Sequence, residues 1–214
     1  MAVGFDTSDV RRTTGGTSIT FSYTVTGSNP AIITTSVPDG ANTVTAVSYN
    51  SVGLTNLGST GTLIMWGLGG CATGANNLTF TVSAYDFVQS AVASFTGTDT
   101  TTGTSAFGTA VTNTGTSTAP STGSITCPSG GAVYGREDSA YTTGVAPTIT
   151  VGTLAGTIRF GGNGHTWAGG YALDATTNIT WAISSSAAWA AIGVPLSAPA
   201  AGGPAIMGRG IWVS

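Results

Sequence analysis

The stretch TLIMWGLGGCATGANNLTFTVSAYDFVQSAVASFT, residues 62–96, decides the fold. Apolar residues run unbroken through Leu63, Ile64, Met65 and Trp66, alternate as Leu78, Phe80 and Val82, and recur at Val88, Ala91, Val92, Ala93 and Phe95. These are strand signatures, so the stretch reads as three strands and two turns. The first turn, Gly67 to Asn77, is rich in Gly and Asn, residues that tolerate positive φ. The second centres on Tyr85-Asp86. The rest of the chain is expected to pack against this unit.

Strand patterns continue outward in both directions. A short strand at 3–6 precedes TSITFSYTVTG (17–27), in which Ile19, Phe21, Tyr23 and Val25 point one way and Thr20, Ser22, Thr24 and Thr26 the other. That is the period of a sheet with one wet face. AIITTSV (31–37) ends at a Pro38-Asp39-Gly40 turn, and TVTAVSY (43–49) turns at Asn50-Ser51 into a hairpin through Val52, Leu54 and Leu57. Downstream, AVYGRED (132–138), PTITVG (147–152), GTIRFGG (156–162), WAGGYAL (167–173), NITWAIS (178–184) and AWAAIGVPL (188–196) add further strands. The Thr/Gly-rich segment 97–126 is open to two readings, a flexible linker or small-residue edge strands; alternation in FGTAVTN (107–113) and TGSITC (122–127) favours the edges. No fixed-period repeat is visible, which argues against a solenoid or propeller. The pattern predicts an all-β fold: a two-sheet antiparallel sandwich, jelly-roll-like, of about a dozen strands without significant helix. Residues 1–198 form one sandwich domain in this reading, and the Pro/Gly-rich 199–214 form an arm whose Ile206, Met207, Ile211 and Trp212 would contact a neighbouring subunit.

Composition narrows the function. Of 214 residues, 41% are hydrophobic and only 6% charged, with 33 glycines, no lysine and a single glutamate, Glu137, so Thr, Ser, Asn and backbone amides must cover the surface. A net charge of −3 from so few groups creates no strong field, and five scattered arginines cannot neutralise a track of phosphates, which excludes nucleic acid as a partner. No apolar run approaches the roughly 20 residues of a membrane span, and MAVGFDTSDVRR lacks the pattern of a signal peptide. Cys71 and Cys127 have neither a metal-binding spacing nor the density of a disulfide framework, and are read as free thiols. A surface typical of extracellular material on a chain without an export signal suits a virus particle, assembled in the host cytoplasm and working outside after lysis.

The residues offer no catalytic constellation. His165 is the only histidine, no G-x-S-x-G elbow occurs, and without lysine there can be no phosphate-binding P-loop. Gly162-Asn163-Gly164 lacks the third glycine and the helix of a dinucleotide fingerprint. Glu137 and Asp138 are adjacent and, on a strand, face opposite sides. Asp39, Asp99 and Asp174 sit near turns but without EF-hand spacing, so no metal and no cofactor is expected. Aromatics are the stronger signal. Trp66, Trp181 and Trp189 lie in apolar runs and read as core, whereas Asn163, His165, Trp167 and Tyr171 cluster at a glycine-rich tip suited to holding a sugar.

Several segments together resemble a known group. MAVGFD, TSITFSYTVTGSN, NTVTAVSYN followed by LTNLGS, the MWGL and TGANNLTFTVS blocks, VASFTGTD and AAWAAIGVPLSAP are similar to a family of uncharacterised β-sandwich proteins of bacteriophage genomes and phage-related bacterial regions. The likeness covers most of residues 1–198, loosely at 101–150, and leaves the arm outside. It implies a phage-associated sandwich and carries no catalytic residues. The expectation is a non-enzymatic virion structural protein on the particle exterior, a capsid decoration or cement protein or a short fibre or tail appendage, contacting other copies of itself and a major virion protein. The alternative is a carbohydrate-binding, lectin-like attachment module.

Overall fold

The computed structural model describes residues 2–12, 15–38, 42–140, 148–151, 153–157 and 165–200. Every regular element among them is a β-strand, seventeen in all, and every pairing is antiparallel. The all-β sandwich class is therefore as the alternation predicts, but the sheets number four instead of two.

The first half of the chain builds two of them. An outer sheet has the order β2 (Gly16–Val25), β8 (Gly74–Asp86), β4 (Val44–Tyr49) and β5 (Val52–Gly53). An inner sheet has the order β1 (Gly4–Arg12), β9 (Val88–Thr96), β3 (Ala31–Pro38), β7 (Leu63–Gly69) and β6 (Thr55–Thr60). The second half builds an inner sheet of β10 (Val111–Ser117), β17 (Ala187–Leu196), β12 (Ala132–Ala140), β15 (His165–Leu173) and β14 (Thr153–Thr157), and an outer sheet of β11 (Ser121–Ile125), β16 (Thr177–Ala182) and β13 (Thr148–Val151). We call these the N-outer, N-inner, C-inner and C-outer sheets, which is also their order in space.

Three apolar cores hold the four layers together. Ile19, Tyr23, Leu78 and Phe80 of the N-outer sheet meet Ile32, Trp66, Val88 and Val92 of the N-inner sheet. Ile33, Met65, Ala93 and Phe95 meet Tyr134, Ile192, Val194 and Leu196 between the two inner sheets. Val133, Ala168 and Trp189 meet Ile125, Ile179 and Trp181 in the C-terminal sandwich. Trp66, Trp181 and Trp189 are all buried, as their apolar surroundings predict.

The layers explain the two patterns in residues 62–96. Strands β7 and β9, with β3 between them, lie in an inner sheet covered on both faces, and all of β7 and all but the last residue of β9 are buried. A strand with no wet face needs no polar alternation, hence the unbroken Leu63–Trp66 run. Strand β8 lies in an outer sheet with one wet face and alternates. A two-layer sandwich would give every strand a wet face, so the unbroken runs were the sign of additional layers. Strand β8 is also longer than the turn residues suggest: it begins at Gly74 and continues through Asp86, and only Phe87 separates it from β9. In the segment between the halves, β10 and β11 form as edge strands of the C-inner and C-outer sheets.

The two halves repeat one topology, and NLTFTVS (77–83) in β8 matches NITWAIS (178–184), which begins in β16, at the same offset, although no repeat is evident in the strand pattern at large. Strand β1 pairs with β9 as β10 pairs with β17; β3 lies between β9 and β7 as β12 lies between β17 and β15; β8 lies between β2 and β4 as β16 lies between β11 and β13. Registers repeat as well. Ala31 faces Phe95 in the N-inner sheet and Ala132 faces Leu196 in the C-inner sheet, 101 positions on for both partners. Likewise Thr20 faces Thr79, and Ser121 faces Thr180. The halves meet through equivalent inner faces, the arrangement of an isologous dimer within a single chain. A residue beside the twofold axis of such an interface meets its own counterpart. Arg136 does so: its Nη1 donates to the carbonyl of Thr35, 3.0 Å away, across the two inner sheets, 101 positions apart.

Candidate functional site

The sugar-binding cluster expected at 163–171 is only partly within the described residues. Asn163 lies outside them, as do the arm residues Ile206, Met207, Ile211 and Trp212. His165 and Trp167 sit on β15, paired through the backbone with Ala140 and Asp138. Tyr171 is six residues further along the same strand, about 20 Å from His165 in extended chain. Its half-buried ring stacks on Phe5 at 4.5 Å between centroids and meets Phe95 edge-on at 6.0 Å, so it belongs to the packing between the inner sheets. Asp99 and Asp174 hold turns: the Asp99 carboxylate accepts from the backbone N–H and hydroxyl of Thr101, and that of Asp174 from the N–H of Gly130. Asp39 lies outside the described residues. Both cysteines are free, Cys71 buried and Cys127 half-buried. Burial pushes the Cys71 thiol up to about 12.

The charges whose placement the sequence did not reveal are Arg136, Glu137 and Asp138, all buried in the central strand of the C-inner sheet. Alternation along β12 sends Arg136 toward the N-inner sheet, where its Nη1 also donates to Thr35 Oγ1 at 2.6 Å. Desolvation lowers the guanidinium to about 10, with Asp138 opposing the shift. Glu137 points the other way, into the C-terminal sandwich, where its Oε2 accepts from the Ser139 hydroxyl. Burial raises its pKa well above the ordinary carboxyl value, and Oε1 has no hydrogen-bond partner among the described residues. Burial thus favours the neutral carboxylic acid over the carboxylate at Glu137. It is sealed from solvent, so no substrate reaches it.

Accessible polar groups gather in two shallow clefts. One, of about 350 Å³, opens at the sheet edges between β1 and β2 and is lined by Asp6, Asp9, Arg11, Ser22, Tyr23 and neighbouring residues. Its charges are already engaged. Arg11 Nε lies 2.7 Å from Asp9 Oδ2, with the guanidinium 4.6 Å above the centre of the Phe21 ring. The Asp6 carboxylate accepts from the N–H and hydroxyl of Thr26 and from Ser94 Oγ at 2.7 Å. Burial works against its ionisation, but these hydrogen bonds prevail and lower its pKa. The second cleft, of about 330 Å³, lies on the wet face of the N-outer sheet and is lined by Thr20, Ser48, Asn50, Ser51, Asn77 and Thr79, with Ala75 and Asn76. It holds no ionisable side chain.

Neither cleft is lined by a histidine or a cysteine. Among the described residues no three His, Cys, Asp or Glu side chains come together in a group that could hold a metal ion, and no helix is long and apolar enough to cross a membrane. No family model matches the chain, and neither a curated protein nor a solved structure matches it.

Proposed function

We propose that the protein is a non-enzymatic structural component on the exterior of a bacteriophage particle, a capsid decoration or cement protein or a short fibre or tail appendage. It acts through many-copy contacts with itself and with a major virion protein. The observation that carries this reading is where the polarity lies. Arg136, Glu137 and Asp138 are buried, whereas the outer sheets face solvent with uncharged hydroxyls and amides, tied into cross-strand pairs such as Thr20 with Thr79 at 2.8 Å and Thr150 with Thr180 at 2.6 Å. Four layers fixed by three cores make a stiff block, and its contacts with neighbours depend little on ionic strength because so few charges take part. The phage-associated family that the sequence resembles points the same way.

Two measurements test the proposal. Light scattering behind size exclusion, at low and high salt, is expected to show an oligomer of constant mass. Immunogold electron microscopy of purified particles is expected to place the protein on the particle surface. A monomer at every concentration, together with particles that carry no label, would refute it.

A further inference from the structure

The cleft on the N-outer sheet is built in a way that its counterpart in the second half is not. Its floor is Thr20 of β2 with Asn77 and Thr79 of β8, and its wall is the Asn50-Ser51 turn joining β4 to β5. Both turn residues are left-handed, with φ of 49° and 65°, and the N–H of Asn50 is anchored on the carbonyl of Asn77 at 2.9 Å. The Asn76 amide is committed to holding the rim: its Nδ2 donates to the Thr73 carbonyl at 3.1 Å. By contrast, the side chains of Ser48, Asn50, Ser51 and Asn77 make no hydrogen bond among the described residues. Two free amides and two free hydroxyls thus converge on a cleft whose volume is at the lower end of the roughly 300–1,000 Å³ of small-molecule sites.

The chemistry of these groups selects the ligand. With no charged side chain in the lining, an ion finds no counter-charge. Amides and hydroxyls each both donate and accept, which matches a ligand whose surface is itself mostly hydroxyl. We propose that this cleft binds a sugar unit of a neutral glycan, with Asn50 and Asn77 as the principal contacts. The site is separate from the 163–171 cluster, and its test is independent of whether the protein is part of a virion.

The internal repeat supplies a control within the same molecule. Ser121, Asn178 and Thr180 occupy in the C-outer sheet the places of Thr20, Asn77 and Thr79. Strand β5 has no counterpart there among the described residues, and the sequence after β13, Gly152-Thr153-Leu154, holds no asparagine. The floor is repeated without the amide of the wall, so the second face should not bind.

The experiment is affinity electrophoresis of the full chain through gels containing dextran, galactomannan or xyloglucan, with anionic alginate for comparison. At least one neutral polysaccharide is expected to retard the protein. Asn77→Ala should weaken that binding by about fivefold, the loss of one hydrogen bond. Combining it with Asn50→Gly, which keeps the left-handed turn, should weaken binding by more than about tenfold. Asn178→Ala should leave it unchanged. All three positions are exposed, and circular dichroism checks that each variant folds. Absence of retardation in all three neutral gels, retardation by alginate alone, a double variant that binds like the parent, or an equal loss in Asn178→Ala would each overturn the proposal.

Discussion

Arg136→Ala is the sharpest test of the four-layer architecture. The guanidinium is fully buried between the two inner sheets, and Nη1 makes charge-assisted bonds to both oxygens that Thr35 presents. Truncation removes those bonds, leaves a cavity between the layers and takes away the cation whose charge is felt by Asp138, itself buried. Removing one member of a buried charge pair typically costs about 3–5 kcal/mol, and a chain of this size loses roughly 2–4 °C of melting temperature per kcal/mol, so a fall on the order of 10 °C is expected. The companion Arg136→Met/Asp138→Leu removes both charges while keeping much of the volume, and should recover most of the loss, ending within about 1 kcal/mol of the parent or above it. Urea unfolding followed by tryptophan fluorescence reads both values, with an unchanged slope showing that the same surface is exposed. If Arg136→Ala lies within about 0.5 kcal/mol of the parent, the residue is not at a packed interface and the face-to-face arrangement of the halves is wrong. If the double variant is no better than the single one, charge burial is not the cause.

Other outcomes follow from the same packing. Because the raised pKa of Glu137 means that the folded chain holds a proton the unfolded chain releases, its contribution to stability is full below about pH 4.5 and falls as pH rises. Glu137→Gln should therefore raise the urea midpoint at pH 7 and leave it unchanged near pH 4; a lowered midpoint at pH 7 would contradict a raised pKa at this buried carboxyl. Phe80→Ala and Trp181→Ala empty equivalent positions of the two sandwiches and should each cost about 3–5 kcal/mol. Each should shift a single transition, because the inner sheets share a core through Phe95, Tyr134, Ile192 and Val194; two separate calorimetric peaks would show that the halves unfold independently. Half-buried Cys127 should react with a disulfide reagent at pH 8 well before buried Cys71, whose thiol is pushed up to about 12. Mass spectrometry of the singly labelled protein locates the adduct, and labelling of Cys71 first would place that residue outside the core.

How much was legible in the residues depended on range. Apolar alternation in Ile19, Phe21, Tyr23 and Val25, and in Leu78, Phe80 and Val82, reports contacts made by one face of one strand, so both strands could be read directly. The Asn50-Ser51 turn was legible for the same reason: its backbone chemistry is local. Its part in a cleft was not, because the facing amide of Asn77 comes from a strand more than twenty positions away. Tyr171 looked like part of a tip because Asn163, His165 and Trp167 are close in sequence, yet its ring packs on Phe5, from the opposite end of the chain.

By itself, the sequence determined that the chain is built of strands, since side-chain period and turn residues act within a few positions, but not their extents: β1 runs on to Arg12 and β8 passes through the Tyr85-Asp86 turn residues. It also determined that the molecule cannot rely on surface charge. Tertiary structure alone decided how many layers those strands form, because an unbroken apolar run says that both faces of a strand are covered without saying by what. It also decided that the repeat extends through all four sheets. The pairing registers recur 101 positions on; NLTFTVS (77–83) and NITWAIS (178–184) keep a trace of the repeat, but Thr35-Ser36-Val37 of one half answers Arg136-Glu137-Asp138 of the other, so in these central strands only geometry relates them. Burial of three of the chain's few charges in one strand was decided at the same level. Nothing local to β12 reports that a second inner sheet, with Thr35 ready to accept from Arg136, lies across from it.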